Sequence, residues 1–326
     1  MTSRGSRILG VGAYRPRRVV GNDEIAARIG VTAEWIERRS GIHSRRYAGP
    51  DETLTAMSLE AAGKALAAAG VSAGDVGCVI AATTTHLTQM PALATEVAHQ
   101  LGVEPAGALD ISAACAGFCY GLALASDLVR AGSAEYVLLL GAERVTDILD
   151  HGDPATAFLF ADGAGAVVVG PSDTPRIGPV VWGSDGSRRT AVGMTGYWTR
   201  DLRDPATPWP VLGMSGWRVF RWATGQLGEV ARTAVERAGL RIDQLGAFVP
   251  HQANELITDA IAAKLALPPE VAVARDIRYS GNTSAASIPL AIDALMESGE
   301  VAHGASALLI GFGSGLVYAA QVAHLP

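Results

Sequence analysis

An internal repeat constrains the fold of this chain more than any other feature. The segment ALDISAACAGFCYGLALASDLVRAGSAEYVLLLGAE near the middle and the segment ARDIRYSGNTSAASIPLAIDALMESGEVAHGASALLIGFG near the end share one order of elements. In each we predict a short strand ending in Asp-Ile, a turn of small polar residues, an apolar-periodic helix and a buried strand. Asp110 matches Asp276 and Gly141 matches Gly311, about half of the 326-residue chain apart.

A second pair of segments keeps the same separation. GCVIAATTTHLTQMPALATEVAHQLG resembles GAFVPHQANELITDAIAAKLAL, with Gly77 opposite Gly246. Short apolar runs alternate with helical patterns such as Ser58 to Ala69 and Phe220 to Ala238, and parallel strands need such crossover helices. The sequence therefore predicts an α/β fold made of two duplicated halves, residues 1–172 and 173–326.

The segment between the repeats is rich in Gly, Pro, Ser and Trp and lacks a clean period. We interpret residues 173–213 as a cap inserted into the second half. Trp182, Trp198 and Trp209 favour a packed cap over a flexible linker, because large aromatic side chains are expected to be buried.

Composition excludes several classes of function. The net charge is -6 and no basic domain with interleaved aromatics appears, so we expect no nucleic-acid partner. No stretch reaches the roughly 18 apolar residues that a membrane span requires, and no export signal is evident. The three cysteines lack metal-ligand spacing, which predicts free thiols, a cytoplasmic location and no metal site.

Basic residues cluster near the N-terminus, and two readings of them stay open. The cluster could contact a phosphate or an acidic carrier surface, or it could be an ordinary solvated patch. Its members are Arg15, Arg17, Arg18, Arg38, Arg39, Arg45 and Arg46.

Cys115 is the candidate nucleophile. It lies in SAACAGF, after a predicted strand and at the start of a helix, where backbone N–H groups and the helix dipole favour a thiolate. The alternative is a small buried hydrophobe, the reading that we give to Cys78 and Cys119.

The second half offers two polar partners at equivalent places. His251 follows the strand AFVP in the phrase PHQAN, at the strand ends where open α/β sheets bind ligands. Asn282, in SGNTSAAS, occupies the turn that repeats the turn of Cys115, although an asparagine there could simply cap a helix. The duplication predicts that Cys115, His251 and Asn282 meet in one pocket. The glycines of GFGSG, Gly311 to Gly315, would let backbone N–H groups approach an oxyanion.

These residues resemble ketoacyl-ACP synthase III, a branch of the thiolase superfamily. The motifs are TAEWIERRSGI, SAACAGF, FADGAGA, PHQAN, GNTSAAS and GFGSG, in order along the whole chain. A Cys-His-Asn set separates this branch from thiolases, which resemble Cys-His-Cys, and from elongating synthases, which resemble Cys-His-His. The resemblance implies a five-layered αβαβα fold, a homodimer, and a tunnel for the pantetheine arm of coenzyme A or acyl carrier protein (ACP).

The resemblance also implies a decarboxylative condensation. Cys115 would take the acyl group from an acyl-CoA or acyl-ACP, with the N–H groups of Cys115 and Ser314 holding the oxyanion. His251 and Asn282 would then assist decarboxylation of malonyl-ACP, giving a 3-oxoacyl-ACP that starts a fatty-acid or polyketide chain. No permanently bound cofactor is implied. The positions that match substrate contacts in the family are Trp35, Arg39, Gly216, Phe220 and Asn254.

Two positions depart from the family pattern. Asp153-Pro154-Ala155 stands where the family usually has Asp-Arg-Gly, whose arginine helps to clamp adenine, and Leu256 stands where an arginine usually follows PHQAN. Charge-assisted phosphate contacts are thereby lost, so carrier-bound or bulkier donors become more plausible. Acyl transfer by Cys115 to a carrier protein, alcohol or amine without condensation is the alternative. A catalytically silent partner subunit is disfavoured because Cys115 is present.

Overall fold

The computed structural model describes residues 5–198, 200–204 and 206–326. The first four residues of the predicted N-terminal half, and positions 199 and 205 of the predicted cap, lie outside them. The strands up to residue 172 are β1 (Gly5–Tyr14), β2 (Arg18–Gly21), β3 (Ser44–Tyr47), β4 (Val76–Ala82), β5 (Gly107–Ile111), β6 (Tyr136–Arg144) and β7 (Asp162–Ser172). The helices there are α1 (Asn22–Ile29), α2 (Ala33–Ser40), α3 (Leu54–Ala69), α4 (Leu93–Leu101) and α5 (Gly117–Ala131).

The remainder of the chain repeats this pattern with shorter strands. Its strands are β8 (Val181–Ser184), β9 (Val192–Met194), β10 (Leu212–Met214), β11 (Ala247–Pro250), β12 (Ala272–Val273), β13 (Ser306–Gly313) and β14 (Val317–His324). Its helices are α6 (Gly216–Arg237), α7 (Glu255–Leu265), α8 (Ile277–Ser280) and α9 (Ser287–Glu297).

Two five-stranded sheets have the same topology. The first has the order β5-β4-β6-β7-β1 and the second the order β12-β11-β13-β14-β8. In each order, the first three strands run parallel to one another, and the fourth strand is antiparallel to both the third and the fifth. Each sheet takes its strands from one side of residue 172, which is consistent with the predicted boundary.

The core shows why the sheets stack with helices between and outside them. Successive strand residues face opposite sides, so Val79 packs with α3 and α4, whereas Ile80 packs with α5 and α9. In the second sheet Val249 faces that same central layer and Phe248 packs against α6 and α7. The order is therefore helices, sheet, helices, sheet, helices. The five predicted layers are confirmed.

One detail of the predicted repeat is wrong. Asp110 lies in β5, where its carboxylate accepts the N–H groups of Leu93 and Ala94 at 2.7 and 2.9 Å and so caps α4. The matching strand β12 ends at Val273, and Asp276 instead precedes α8 and forms an ion pair with Arg15. The aspartates therefore match in sequence but not in structure.

The predicted cap proves to be partly sheet. Residues 181–184 form β8, the edge strand of the second sheet, and only β9 and β10 make a separate two-stranded ribbon. The expected burial of the tryptophans is wrong: Trp182, Trp198 and Trp209 are 46%, 49% and 58% exposed. Trp198 and Trp209 instead cover each other edge to face, and Trp182 stacks on Tyr120.

The basic cluster also divides. Arg45 is fully buried and donates hydrogen bonds to the Asn22 side chain and the Phe158 carbonyl, both at 2.9 Å. Burial lowers its pKa to about 10. Arg15 forms ion pairs with Asp276 and Asp293. Arg15 and Arg45 therefore do not belong to a solvated patch. None of the described helices is both long and apolar enough to cross a membrane.

Candidate active site

One cavity of about 1070 Å³ is lined by all nine residues that the sequence predicted for the site. It lies where the carboxyl ends of the central strands of both sheets converge, beside the ribbon of β9 and β10. The nine are Trp35, Arg39, Cys115, Gly216, Phe220, His251, Asn254, Asn282 and Ser314.

Two equivalent turns form the floor of the cavity. Each is a short 3-10 segment, Ala114–Ala116 before α5 and Ser284–Ala286 before α9. Ala114 and Ser284 both have positive φ, 46° and 51°, a conformation that costs roughly 1–3 kcal/mol and is typical of functional sites. The strain occurs at matching positions of the repeat.

The matching glycines of the repeat allow these turns to approach. A Cβ on Gly141, in β6, would lie 2.4 Å from the Ala285 carbonyl oxygen. A Cβ on Gly311, in β13, would lie 2.9 Å from the Cα of Ala116. Each strand thus packs against the turn of the other half, which explains how a duplicated chain brings both turns to one cavity.

Cys115 is partly exposed to the cavity, and its ionisation differs from the sequence expectation. Burial raises the pKa of its thiol to about 12, a hydrogen bond with Ser284 lowers it, and the charge of Glu143 raises it. The helix start does not by itself produce a thiolate. Burial and the Glu143 charge instead favour the neutral thiol. Cys78 and Cys119 are buried, as predicted.

His251 is held as a neutral imidazole. It is 2% exposed, and burial lowers its pKa to about 3. Its Nδ1 lies 2.7 Å from Ser287 Oγ, which also accepts the N–H of Gln252 at 3.3 Å. The Ser287 hydroxyl has no other acceptor among the side-chain hydrogen bonds of the described residues, so we assign its proton to Nδ1 and the ring proton to Nε2. His251 can then act as a hydrogen-bond donor without carrying charge.

Asn282, like His251, is oriented so that it keeps a hydrogen-bond donor available. Its Oδ1 accepts the backbone N–H of Ser284 at 2.9 Å. Because an N–H group requires an oxygen acceptor, this contact fixes the amide flip and leaves Nδ2 as the free donor. Asn282 does not cap α9, which begins five residues later, but its contact with Ser284 caps the 3-10 turn that precedes this helix.

The end of β13 lies directly against the nucleophile. A Cβ on Gly313 would lie 2.8 Å from Cys115 N and 3.2 Å from Cys115 Sγ. The following residue, Ser314, donates its hydroxyl to the Val192 carbonyl at 2.6 Å, which ties this loop to the ribbon. Its backbone N–H has no backbone acceptor among the described residues. The glycine-rich loop thus has the proximity that an oxyanion site requires.

At the mouth, Trp35 packs edge to face on Phe158 at 5.2 Å, and the Arg39 guanidinium lies 5.4 Å from the Trp35 ring centroid. Gly216 and Phe220, on the first turns of α6, line the cavity. Asn254 caps α7 by accepting the Leu256 N–H at 2.9 Å and donates to the Arg39 carbonyl at 2.8 Å. Its amide therefore joins α7 to α2.

The mouth carries little charge. Pro154, Ala155 and Leu256 all line it, and Arg39 is the one lining side chain with a formal charge among the described residues. The two sequence departures therefore lie in the lining of the cavity itself.

Sequence reasoning missed a set of polar residues behind Cys115. Glu143, at the end of β6, is fully buried and accepts hydrogen bonds from Thr84 and Ser284, which line the cavity. A signal was present: an acidic residue ends the apolar run YVLLLGAE, and three threonines follow β4. Buried carboxylates are unusual without a specific purpose.

Comparison with known proteins agrees with this geometry. Family models described as 3-oxoacyl-[acyl-carrier-protein (ACP)] synthase III and its C-terminal part match residues 109–186 and 235–325. A β-ketoacyl-[acyl-carrier-protein] synthase III of Streptomyces glaucescens is 53% identical over 98% of this chain and 96% of its own length. A mycobacterial β-ketoacyl-[acyl-carrier-protein] synthase III from Mycobacterium avium is 48% identical over 98% of this chain and 95% of its own.

Solved structures give the same result. The priming β-ketosynthase from the R1128 polyketide biosynthetic pathway superposes with a TM-score of 0.97, at 49% identity, over 99% of this chain and 97% of that one. The 3-oxoacyl-[acyl-carrier-protein] synthase III from Aquifex aeolicus has a TM-score of 0.90 at 35% identity, over 98% and 100%. The fold is that of a thiolase-like condensing enzyme, an acyltransferase. More narrowly, the chain belongs to the 3-oxoacyl-ACP synthase III family.

Proposed function

We propose that the protein joins an acyl thioester to malonyl-ACP by decarboxylative Claisen condensation and releases a 3-oxoacyl-ACP that starts a fatty-acid or polyketide chain. The observation that carries this is the convergence of a thiol, a neutral imidazole donor and a free amide donor on one cavity. Relatives bear the name of this activity, and one is titled a priming ketosynthase.

In the first half-reaction Cys115 attacks the acyl thioester carbonyl. The S–H bond breaks, a new S–C bond forms, and the thiol proton leaves with the departing pantetheine thiolate. The N–H groups of Cys115 and Ser314 stabilise the tetrahedral oxyanion, a role supported by the contact between Gly313 and Cys115. No metal is called on for this step.

In the second half-reaction malonyl-ACP occupies the vacated arm of the cavity. Nε2–H of His251 and Nδ2–H of Asn282 donate to its thioester carbonyl, so that loss of carbon dioxide gives a stabilised enolate. The enolate carbon attacks the acyl-Cys115 carbonyl, the C–S bond breaks, and Cys115 leaves as a thiolate that takes a proton from water to restore the thiol. A neutral histidine suits this role, since donation and not proton removal is required.

We propose that the donor carries its acyl group on a pantetheine arm, from coenzyme A or ACP, that threads between Trp35, Phe220 and Gly216. The nearly uncharged mouth, with Pro154 and Leu256, favours a donor that needs few phosphate contacts inside the cavity, which suits carrier-bound acyl groups. The protein would act in the cytoplasm, where its three unpaired thiols stay reduced.

We also propose a homodimer formed along β5. That strand is an edge of the first sheet, and exposed apolar side chains lie on or near it: Leu109 is 40% exposed, Leu87 47% and Met90 77%. An unprotected edge with apolar neighbours is a ready surface for pairing with a second copy.

The decisive assay incubates the protein with malonyl-ACP and a panel of acyl-CoA and acyl-ACP donors and weighs the products by mass spectrometry. A 3-oxoacyl-ACP and an acyl adduct on the Cys115 peptide are expected, and the Cys115→Ser variant should lose the adduct. Acyl-Cys115 that forms without any 3-oxoacyl-ACP would favour the alternative, acyl transfer without condensation.

A further inference from the structure

Glu143 is a carboxylate without a cation. It is fully buried at the end of β6, and burial raises its pKa. One oxygen accepts hydrogen bonds from Thr85 Oγ1 at 2.6 Å, Thr84 N at 3.1 Å and Thr83 Oγ1 at 3.3 Å. None of the ion pairs found among the described residues involves it. Such a group is costly to bury, so its position behind the cavity calls for an explanation.

Ser284 connects Glu143 to two of the three predicted catalytic residues. Its hydroxyl donates to the other Glu143 oxygen at 2.9 Å. Ser284 and Cys115 line the same cavity, and interaction with the Ser284 hydroxyl lowers the pKa of the Cys115 thiol. Its backbone N–H donates to Asn282 Oδ1 at 2.9 Å, from a strained φ of 51°. One residue therefore hydrogen-bonds both the carboxylate and the amide and lies in the same cavity lining as the nucleophile.

The direction of donation follows from counting protons. Ser284 has a single hydroxyl proton, and while Glu143 accepts it, the serine oxygen can only accept from the Cys115 thiol. When Cys115 loses its proton, the serine proton can turn toward the sulfur. The charge of Glu143 and the hydroxyl of Ser284 thus act on Cys115 in opposite senses.

We propose that Glu143 and Ser284 form a positioning pair for the reaction proposed above: Glu143 holds Ser284, and Ser284 aims the Cys115 side chain and the Asn282 amide. The pair deepens the proposed function and rests on it for its catalytic meaning. Neither residue touches the transferred acyl group in this scheme.

The test compares Glu143→Gln and Ser284→Ala by the rate at which iodoacetamide alkylates Cys115 across a pH series, followed on the Cys115 peptide by mass spectrometry. The other titratable groups near the thiol are His251, which burial keeps neutral, and Cys119, which is buried and protonated. At about pH 8, Glu143→Gln should react about threefold faster than the parent and Ser284→Ala about threefold slower.

Opposite shifts are a result that simple destabilisation does not produce. Asp162→Asn is the matched control, because Asp162 is 1% exposed and accepts hydrogen bonds from Ala48 N and Thr146 but does not line the cavity. It should lower the melting temperature and leave the alkylation rate unchanged. Equal alkylation rates in all four proteins, or shifts of both site variants in one direction, would overturn the proposal.

Ser284→Ala keeps the experiment decisive if Glu143→Gln does not fold. It removes one hydroxyl and retains the N–H to Asn282, and alanine already adopts the matching strained φ at Ala114. A rate equal to that of the parent in this variant alone contradicts the pair. Because alkylation needs no malonyl-ACP, a protein that passes this test but forms no 3-oxoacyl-ACP refutes the proposed function and not the pair.

Discussion

Asn282 offers a sharp test at the scale of single residues, because its two amide atoms have different tasks. Oδ1 accepts from Ser284, and Nδ2 is the proposed donor to malonyl-ACP. Asn282→Asp keeps the acceptor and removes the donor, so malonyl-ACP decarboxylation should fall 10²–10³-fold, about 3 kcal/mol, and more than acyl loading, which the added carboxylate slows by disfavouring the Cys115 thiolate. Separate measurements of carbon dioxide release and of intact protein mass would check this. Equal loss of both half-reactions would contradict the assigned role.

His251 predicts an acid-sensitive fold. Its pKa is about 3 in the folded protein and about 6.5 when unfolded, so between these values the unfolded chain binds the extra proton. This contribution to stability is complete above pH 6.5 and is lost as the pH falls toward 3. Between pH 7 and about pH 4.5, the free energy of unfolding measured with urea should fall less in His251→Gln than in the parent, by up to about 2 kcal/mol. His99→Gln is the control, since that side chain is 78% exposed.

The sequence predicted three residues that share the cavity, but not the residues that orient them. Cys115, His251 and Asn282 stand out because they follow strands in a duplicated pattern. Glu143 and Ser284 do not, because their contact joins residues far apart in the chain and depends on the packing of both halves. The expected thiolate was wrong for a related reason: helix position is visible in the sequence, whereas burial is not.

Among the secondary-structure elements, we expect the end of β13 to tolerate substitution least. Gly313→Ala would place a methyl group 2.8 Å from Cys115 N, where only a backbone shift can make room. We expect acyl loading to fall at least about tenfold, because small displacements at a reacting centre are costly. Intact-protein mass spectrometry after exposure to an acyl-CoA or acyl-ACP measures the loading directly.

The control for Gly313→Ala is a glycine with free space. Gly63, exposed within α3, would meet nothing within 4 Å on gaining a Cβ. Gly63→Ala should leave acyl loading unchanged and stabilise the protein by up to about 1 kcal/mol through helix propensity. Equal loading by both alanine variants would show that close packing at Gly313 is not required.

The spacing of apolar residues predicted most helices and strands, because each packs one face or both faces into a hydrophobic core. The helices expected from Ser58 and Phe220 begin four residues earlier, at Leu54 and Gly216, where a threonine cap and a loop set the start. The strand expected before Asp276 is reduced to β12, two residues long. A strand at a sheet edge has few partners to preserve it, so a sequence match there predicts structure poorly.

At the scale of the whole molecule, the repeat accounts for the architecture. Two sheets of one topology share a central layer of α5 and α9, and matching glycines let each sheet press on the turn of the other half. The membership of the family, the fold and the condensing activity class were predicted from the motifs and are confirmed. The burial of Trp182, Trp198 and Trp209 was mispredicted, because the exposure of a side chain depends on surroundings beyond the protein's own core.

The proposed homodimer gives the last prediction. A two-fold axis beside β5 would bring the same strand of both copies together, so one substitution acts twice. Leu109→Lys, at a side chain that is 40% exposed, would place two like charges at that edge and should convert a dimer of about 67 kDa into a 33.7 kDa monomer. Val19→Lys is the control, because Val19 is 54% exposed on the separate β2–β3 ribbon. Light scattering coupled to size-exclusion chromatography measures both masses. If Leu109→Lys remains dimeric, the copies associate through another face.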